Sequence, residues 1–209
     1  MKRSIGLALA AAILVAGCAG GKQLLSQEET PQDIDWRKVA TPHDRTRLRQ
    51  WRQAWVAALA MARAAGAAEP MARDAMLLDP DRSLPGARLA VGRYRCRVVK
   101  LGARDAAAPA MATRDWTRCV VATTAGRTTF SLDGDQRLHG YLFDDTDARQ
   151  VFLGTLALGD ETRPMRYGRD ARRDAAGFVE RIGAARWRLI LPYPGFESTL
   201  DLVDIVPIG

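Results

Sequence analysis

Cys18 is the side chain whose surroundings define a chemistry most sharply. It ends Val15-Ala16-Gly17-Cys18, after an uncharged run from Ser4 to Val15 and the basic pair Lys2-Arg3. A positive start, a short apolar stretch and small residues at the cut make a secretory signal. A cysteine placed directly after such a cut is an acceptor for acyl chains such as palmitate. The apolar run is about a dozen residues, short of the ~20 that span a bilayer as a helix. The sequence therefore predicts cleavage after Gly17 and lipidation of Cys18. Asp is absent from Ala19-Gly20-Gly21, which points the anchored chain to the periplasmic face of the outer membrane. Each buried methylene contributes roughly 0.8 kcal/mol, and several acyl chains make such an anchor stable.

Setting Cys18 aside leaves two of the three cysteines, Cys96 and Cys119. An even remainder in an oxidising compartment predicts a structural disulfide between them. Neither His43 nor His139 stands at ligand spacing from a cysteine, so a metal or nucleophilic role for the pair is not expected. Asp133 and Asp135 flank Gly134, and Asp144, Asp145 and Asp147 cluster at a later connection. Their spacing fits no calcium loop, and Asp is a common turn former. No serine elbow, zinc-helix motif, phosphate loop or dinucleotide fingerprint is present. No catalytic residue, cofactor or metal site is expected.

Binding is the chemistry left to look for. Glu180 and Arg181 adjoin within a strand-like segment, so one of them points inward and must find a partner there. Arg181 can pair with Asp201 or Asp204, and Glu180 with Arg186 or Arg188. Tyr167-Gly168-Arg169-Asp170 lies in a long connection, and connections of that length often bind. The candidate binding surface is therefore Tyr167, Arg169, Asp170, Glu180 and Arg181.

The elements that position these residues follow from the hydrophobic periods. Residues 18–35, rich in Gly, Gln, Glu and Ser, read as a flexible tether behind the signal at 1–17. Thr41-Pro42-His43-Asp44 is a helix start. Leu48, Trp51, Trp55, Ala58, Leu59 and Ala62 then make one apolar stripe that Gly66 ends. The stripe predicts a helix covering a core, within a helical segment at 36–90 that includes a short helix around 72–77. From Val91 the period becomes two. Eight strands are predicted, at 92–101, 117–123, 128–132, 137–143, 150–158, 177–182, 186–191 and 198–206. Tight turns at 133–136 and 183–185 favour an antiparallel meander. The expected fold is mainly β: an N-terminal amphipathic helix, then an eight-stranded antiparallel barrel over 91–209, with a two-sheet sandwich as the alternative.

The whole chain carries 31 Lys and Arg against 24 Asp and Glu, a net charge of +7 that falls by two when Lys2 and Arg3 leave. That balance suits anionic lipid headgroups and shows no nucleic-acid motif.

The segments Gly92-Arg93-Tyr94-Arg95-Cys96-Arg97-Val98-Val99-Lys100-Leu101-Gly102, Val151-Phe152-Leu153-Gly154, Glu180-Arg181-Ile182-Gly183 and Arg186-Trp187-Arg188-Leu189 resemble a family of bacterial envelope lipoproteins, a domain of unknown function. The resemblance spans roughly residues 36–207 and implies the address, with no assigned activity. A weaker likeness is to periplasmic inhibitors of secreted metalloproteases, small eight-stranded barrels with a disulfide between their first two strands. Cys96 and Cys119 match that placement, and the likeness implies a scaffold only. The expected function is a membrane-anchored, non-enzymatic module that binds a protein or envelope component in the periplasm. The alternative is a carrier of a small molecule or lipid inside the barrel.

Overall fold

The computed structural model describes residues 34–159 and 161–208. Cys18, the signal at 1–17 and most of the tether lie outside the described residues. The helical segment opens with α1 (Trp36–Val39) and α2 (Pro42–Arg49). The Thr41 hydroxyl caps α2 by accepting the Asp44 N–H, with Pro42 at the first helical position. α3 (Trp51–Ala64) follows after a break at Gln50, and α4 is Ala68–Arg73. The single helix expected from Thr41 to Gly66 is thus two. The break lets α2 lie against one strand while α3 lies across three others. The short helix expected at 72–77 sits earlier, because Asp74 ends α4 and turns its carboxylate to Arg97.

Nine antiparallel strands follow: β1 (Gly92–Ala103), β2 (Met111–Thr113), β3 (Thr117–Thr124), β4 (Arg127–Leu132) and β5 (Gln136–Thr146), then β6 (Arg149–Leu158), β7 (Asp174–Gly183), β8 (Arg186–Pro192) and β9 (Ser198–Pro207). Each pairs with the next from β3 to β9, and β9 pairs with β1 from Ser198 to Pro207. That last pairing closes the sheet and rules out the sandwich. β1 pairs with β3 through its first half and with β2 through its second. β2 and β3 therefore occupy one position in an eight-stranded barrel, and β2 is the short strand that periodicity alone does not reveal.

Alternation sorts the side chains into two cores. Tyr94, Phe130, Phe152, Leu189, Val203 and Ile205 fill the barrel. Trp55, Val99, Leu101, Phe178, Ile190 and Leu202 fill the layer between barrel and helices. α2 packs on β7, and α3 on β1, β8 and β9, so the stretches of strand beneath them, such as Val99 to Leu101 of β1, carry apolar residues on their outer face. Cys96 and Cys119 form the expected disulfide, with Cα atoms 5.9 Å apart. They are diagonal neighbours, since Cys96 faces Thr117 and Cys119 faces Tyr94.

Glycine makes room for the aromatic filling. Gly140 and Gly154 are register partners, and a Cβ on either would collide with the Phe152 ring and with the other strand's backbone. Phe152 meets Phe130 edge-on at 6.0 Å between centroids. The far end of the barrel is closed by the segment before β1. Leu84 bridges to Arg181, and Leu89 enters the barrel core as its N–H bonds Gln150 Oε1.

Candidate functional site

At the end of the barrel opposite Leu89, the last inward residue of β1 is Lys100. Its ammonium donates to Asp201 Oδ2 on β9 at 2.9 Å and lies 3.4 Å from Glu197. The Ser198 hydroxyl donates to the other Asp201 oxygen. Burial pushes the Asp201 carboxyl above the usual carboxylate range, opposed by Lys100 and by the Ser198 bond. Around this pair stand Leu132, Leu138, Leu156, Leu191 and Val203, with Arg172 and Phe196 at the rim. The pocket against this pair is about 40 Å³, room for roughly three waters. A neighbouring pocket that shares Val98, Lys100, Leu132 and Gln136 with it and extends to Trp116 and Asp133 is about 490 Å³.

The five residues of the expected binding surface do not form one. Glu180 is 1% exposed and faces the helices. Arg149 and Arg188 both hold it, Arg188 Nη2 at 2.8 Å. Arg188 in turn donates to the carbonyls of Leu77, Asp79 and Arg82 and lies over the Trp55 ring at 4.6 Å. Glu180 with Arg188 is one of the pairings foreseen, and its work is to fasten the connection after α4. Arg181 pairs with neither Asp201 nor Asp204. It donates to the carbonyls of Gly183, Pro85 and Ala184. Lys100 takes Asp201, while Arg97 and Arg186 take Asp204.

Tyr167, Arg169 and Asp170 sit at the other end of β7. The Tyr167 hydroxyl donates to Asp44 at 2.6 Å and accepts the Thr41 N–H at 3.1 Å. Burial and the Asp44 charge raise its pKa. Tyr167 therefore pins its loop to the start of α2. Asp170 accepts the Arg172 N–H and lies 3.7 Å from Arg173, leaving Arg169 exposed. The acidic turn at 144–147 serves the same kind of purpose. Asp145 accepts from the Trp36 indole and Arg37, and the Asp147 carbonyl accepts from Gly86 and Ala87. Among the described residues no group of three or more His, Cys, Asp or Glu could hold a metal ion. No described helix is long and apolar enough to cross a membrane.

One surface lies outside the sequence reading. The outward residues of the first half of β1 are Arg93, Arg95 and Arg97, and Arg118 on β3 faces Arg95 in register. Trp116 stands beside them, 42% exposed, with the Arg95 and Arg97 guanidinium carbons 5.4 and 5.1 Å from its ring centre. Arg97 is held by Asp74 and Asp204. Arg93, Arg95 and Arg118 are exposed and form no ion pair among the described residues. The signal was present as arginine at every second position from 93 to 97, a spacing that puts all three on one face.

The fold and its surfaces define a small closed antiparallel barrel with a helical layer on one wall and a bare, arginine-rich wall elsewhere. The chain belongs to the family described as a domain of unknown function, DUF4893, whose model matches residues 36–205. No curated protein and no solved structure matches the chain.

Proposed function

We propose that the protein is a lipid-anchored, non-enzymatic module on the periplasmic face of the outer membrane. It binds a protein or other envelope component through its outer surface. The observation that carries this reading is the packed interior. Tyr94, Phe130 and Phe152 fill the barrel, and Trp187 packs against them. A barrel filled by its own side chains has no interior space for a carried molecule, so recognition is assigned to the outside and the carrier reading is disfavoured. The sequence around Cys18 supports the anchor.

Two measurements test the two halves. Labelled palmitate should appear on the parent chain and vanish from Cys18→Ser; label on both, or on neither, removes the anchor. For binding, photocrosslinking residues at Trp116, Met165 and Arg169, all exposed, should trap a specific partner in intact cells. No enriched adduct from any of the three positions would count against a binding module. Point replacement is preferable to deleting the loop, because Tyr167 and Asp174 hold α2 in place.

A further inference from the structure

Resting on that reading of a binding module, we propose that the bare wall of the barrel at Arg93, Arg95, Arg118 and Trp116 docks on a membrane surface through phosphate-bearing anionic lipid headgroups. The first argument is electrostatic. Arg95 and Arg118 are directly opposed across β1 and β3, and like charges so placed destabilise a sheet. Across the outward positions of β1, β3 and β4 no carboxylate intervenes between them. Asp74 and Asp204 are taken by Arg97, and Asp115 and Asp133 beside the ends of β3 and β4 form no ion pair with these arginines among the described residues. A bound anion would remove the repulsion, and guanidinium suits phosphate because its planar fork donates two parallel hydrogen bonds.

The second argument is the aromatic. Trp116 presents one side to Arg95 and Arg97 while 42% of it stays in solvent. At 5.4 Å from the ring centre the Arg95 guanidinium is within cation–π reach of Trp116. Val91 is 65% exposed and Ile208 46% exposed. Ile208 lies against the same strand, its N–H directed to the Arg93 carbonyl. An indole, two exposed aliphatic side chains and unpaired arginines on one convex wall match the boundary between headgroups and acyl chains. The helices cover the second half of β1 at Val99 and Leu101, together with β7, β8 and β9, whereas Arg93 and Arg95 in its first half and Arg118 on β3 stay exposed and can approach a bilayer.

The test uses the full chain carrying Cys18→Ser, so that no acyl chain can dock it. Sedimentation compares vesicles containing phosphatidylglycerol with vesicles of phosphatidylcholine alone, at low and high salt. Binding should favour the anionic vesicles and weaken with salt. Arg95→Gln with Arg118→Gln should weaken it roughly thirtyfold, at the usual contribution of a base near an anionic surface. Arg49→Gln with Arg63→Gln, exposed on α2 and α3, should change it less than about twofold. Equal losses from both double variants would reduce the effect to net charge and overturn the proposal, as would no loss from either. The thermal midpoint of Arg95→Gln with Arg118→Gln should equal or exceed the parent's, because a repulsion is removed. A lower midpoint would assign these arginines to the fold and also overturn it. If crosslinking at Trp116 traps a protein while vesicle binding ignores the arginines, this proposal falls and the binding-module reading stands.

Discussion

Lys100 and Asp201 face each other across β1 and β9 inside the barrel mouth, with nitrogen and oxygen 2.9 Å apart. Both side chains are almost wholly withdrawn from water. Removing two charges from water costs several kcal/mol each, and the pairing offsets that only while both partners are present.

Lys100→Met should therefore destabilise by about 3–5 kcal/mol, since it leaves Asp201 enclosed without its cation. Adding Asp201→Asn should return most of that loss, because Asn keeps the size and the Ser198 contact without the charge. The pH dependence has a definite sign. The folded Asp201 carboxyl is raised by burial, so it holds its proton more tightly than in the unfolded chain. That contribution is full below the unfolded value of about 3.9 and is lost as pH rises through the folded value. Lys100→Met raises the folded value further, so urea midpoints of this variant should fall more steeply than the parent's from acid toward neutral pH. A flat profile would place Asp201 in contact with solvent.

Arg188 has a different dependence on its acid. It holds Glu180 and three carbonyls of the connection after α4, and its exposure is 0%. Glu180→Gln leaves those three carbonyl bonds in place, while Arg188→Met removes them all and strands Glu180 with Arg149 alone. Arg188→Met should cost about 3–5 kcal/mol and Glu180→Gln less. Limited proteolysis should then cut between residues 77 and 82 first in Arg188→Met. Equal midpoints for the two variants would mean the carbonyl bonds contribute nothing.

Much of this fold can be read from period and turns. Tyr94, Cys96 and Val98 alternate with Arg93, Arg95 and Arg97, and that alternation alone establishes a strand with two unlike faces. The break at Gln50 is not legible, because the apolar stripe runs through Leu48, Trp51 and Trp55 without interruption. The partner of Arg181 is not legible either. β7 and β9 carry apolar residues at both parities, since the helices cover their outer face, so the inward parity is known only once β9 closes on β1. The same closure decides which wall stays bare, and so why the arginines of β1 matter. Tyr167 was visible as a candidate, but its partners Thr41 and Asp44 are more than 120 residues away.

His139 supplies a pH test at the opposite end of the scale. It lies on β5 between Ser131 and Thr155. Burial lowers its pKa, helped by Arg137 and opposed by Asp133. A depressed folded value means the neutral ring is favoured in the folded chain. Its contribution is full above the unfolded value of about 6.5 and is lost as pH falls through the folded value. The parent's thermal midpoint should drop as pH falls below about 6.5, and His139→Gln should flatten that part of the curve. An unchanged slope in His139→Gln would assign the drop to another group.

Gly154 tests whether the aromatic filling or the sheet itself sets the barrel's tolerance. A Cβ at Gly154 would meet the His139 carbonyl oxygen, the Phe152 ring and the Gly140 Cα. Neither Gly140 nor Gly154 adopts a left-handed backbone, so space and not conformation demands glycine here. Gly154→Ala should therefore cost at least the ~1–3 kcal/mol typical of overpacking. Shrinking the ring separates the two sources of conflict. Phe152→Leu relieves the side-chain clash but leaves the carbonyl and the opposing Cα where they are. If backbone proximity dominates, Gly154→Ala with Phe152→Leu will be no more stable than Gly154→Ala alone, since the second change also removes the edge-on contact with Phe130. If the double variant recovers stability, the ring is the obstacle, and the interior could be hollowed by trimming aromatics without opening the sheet.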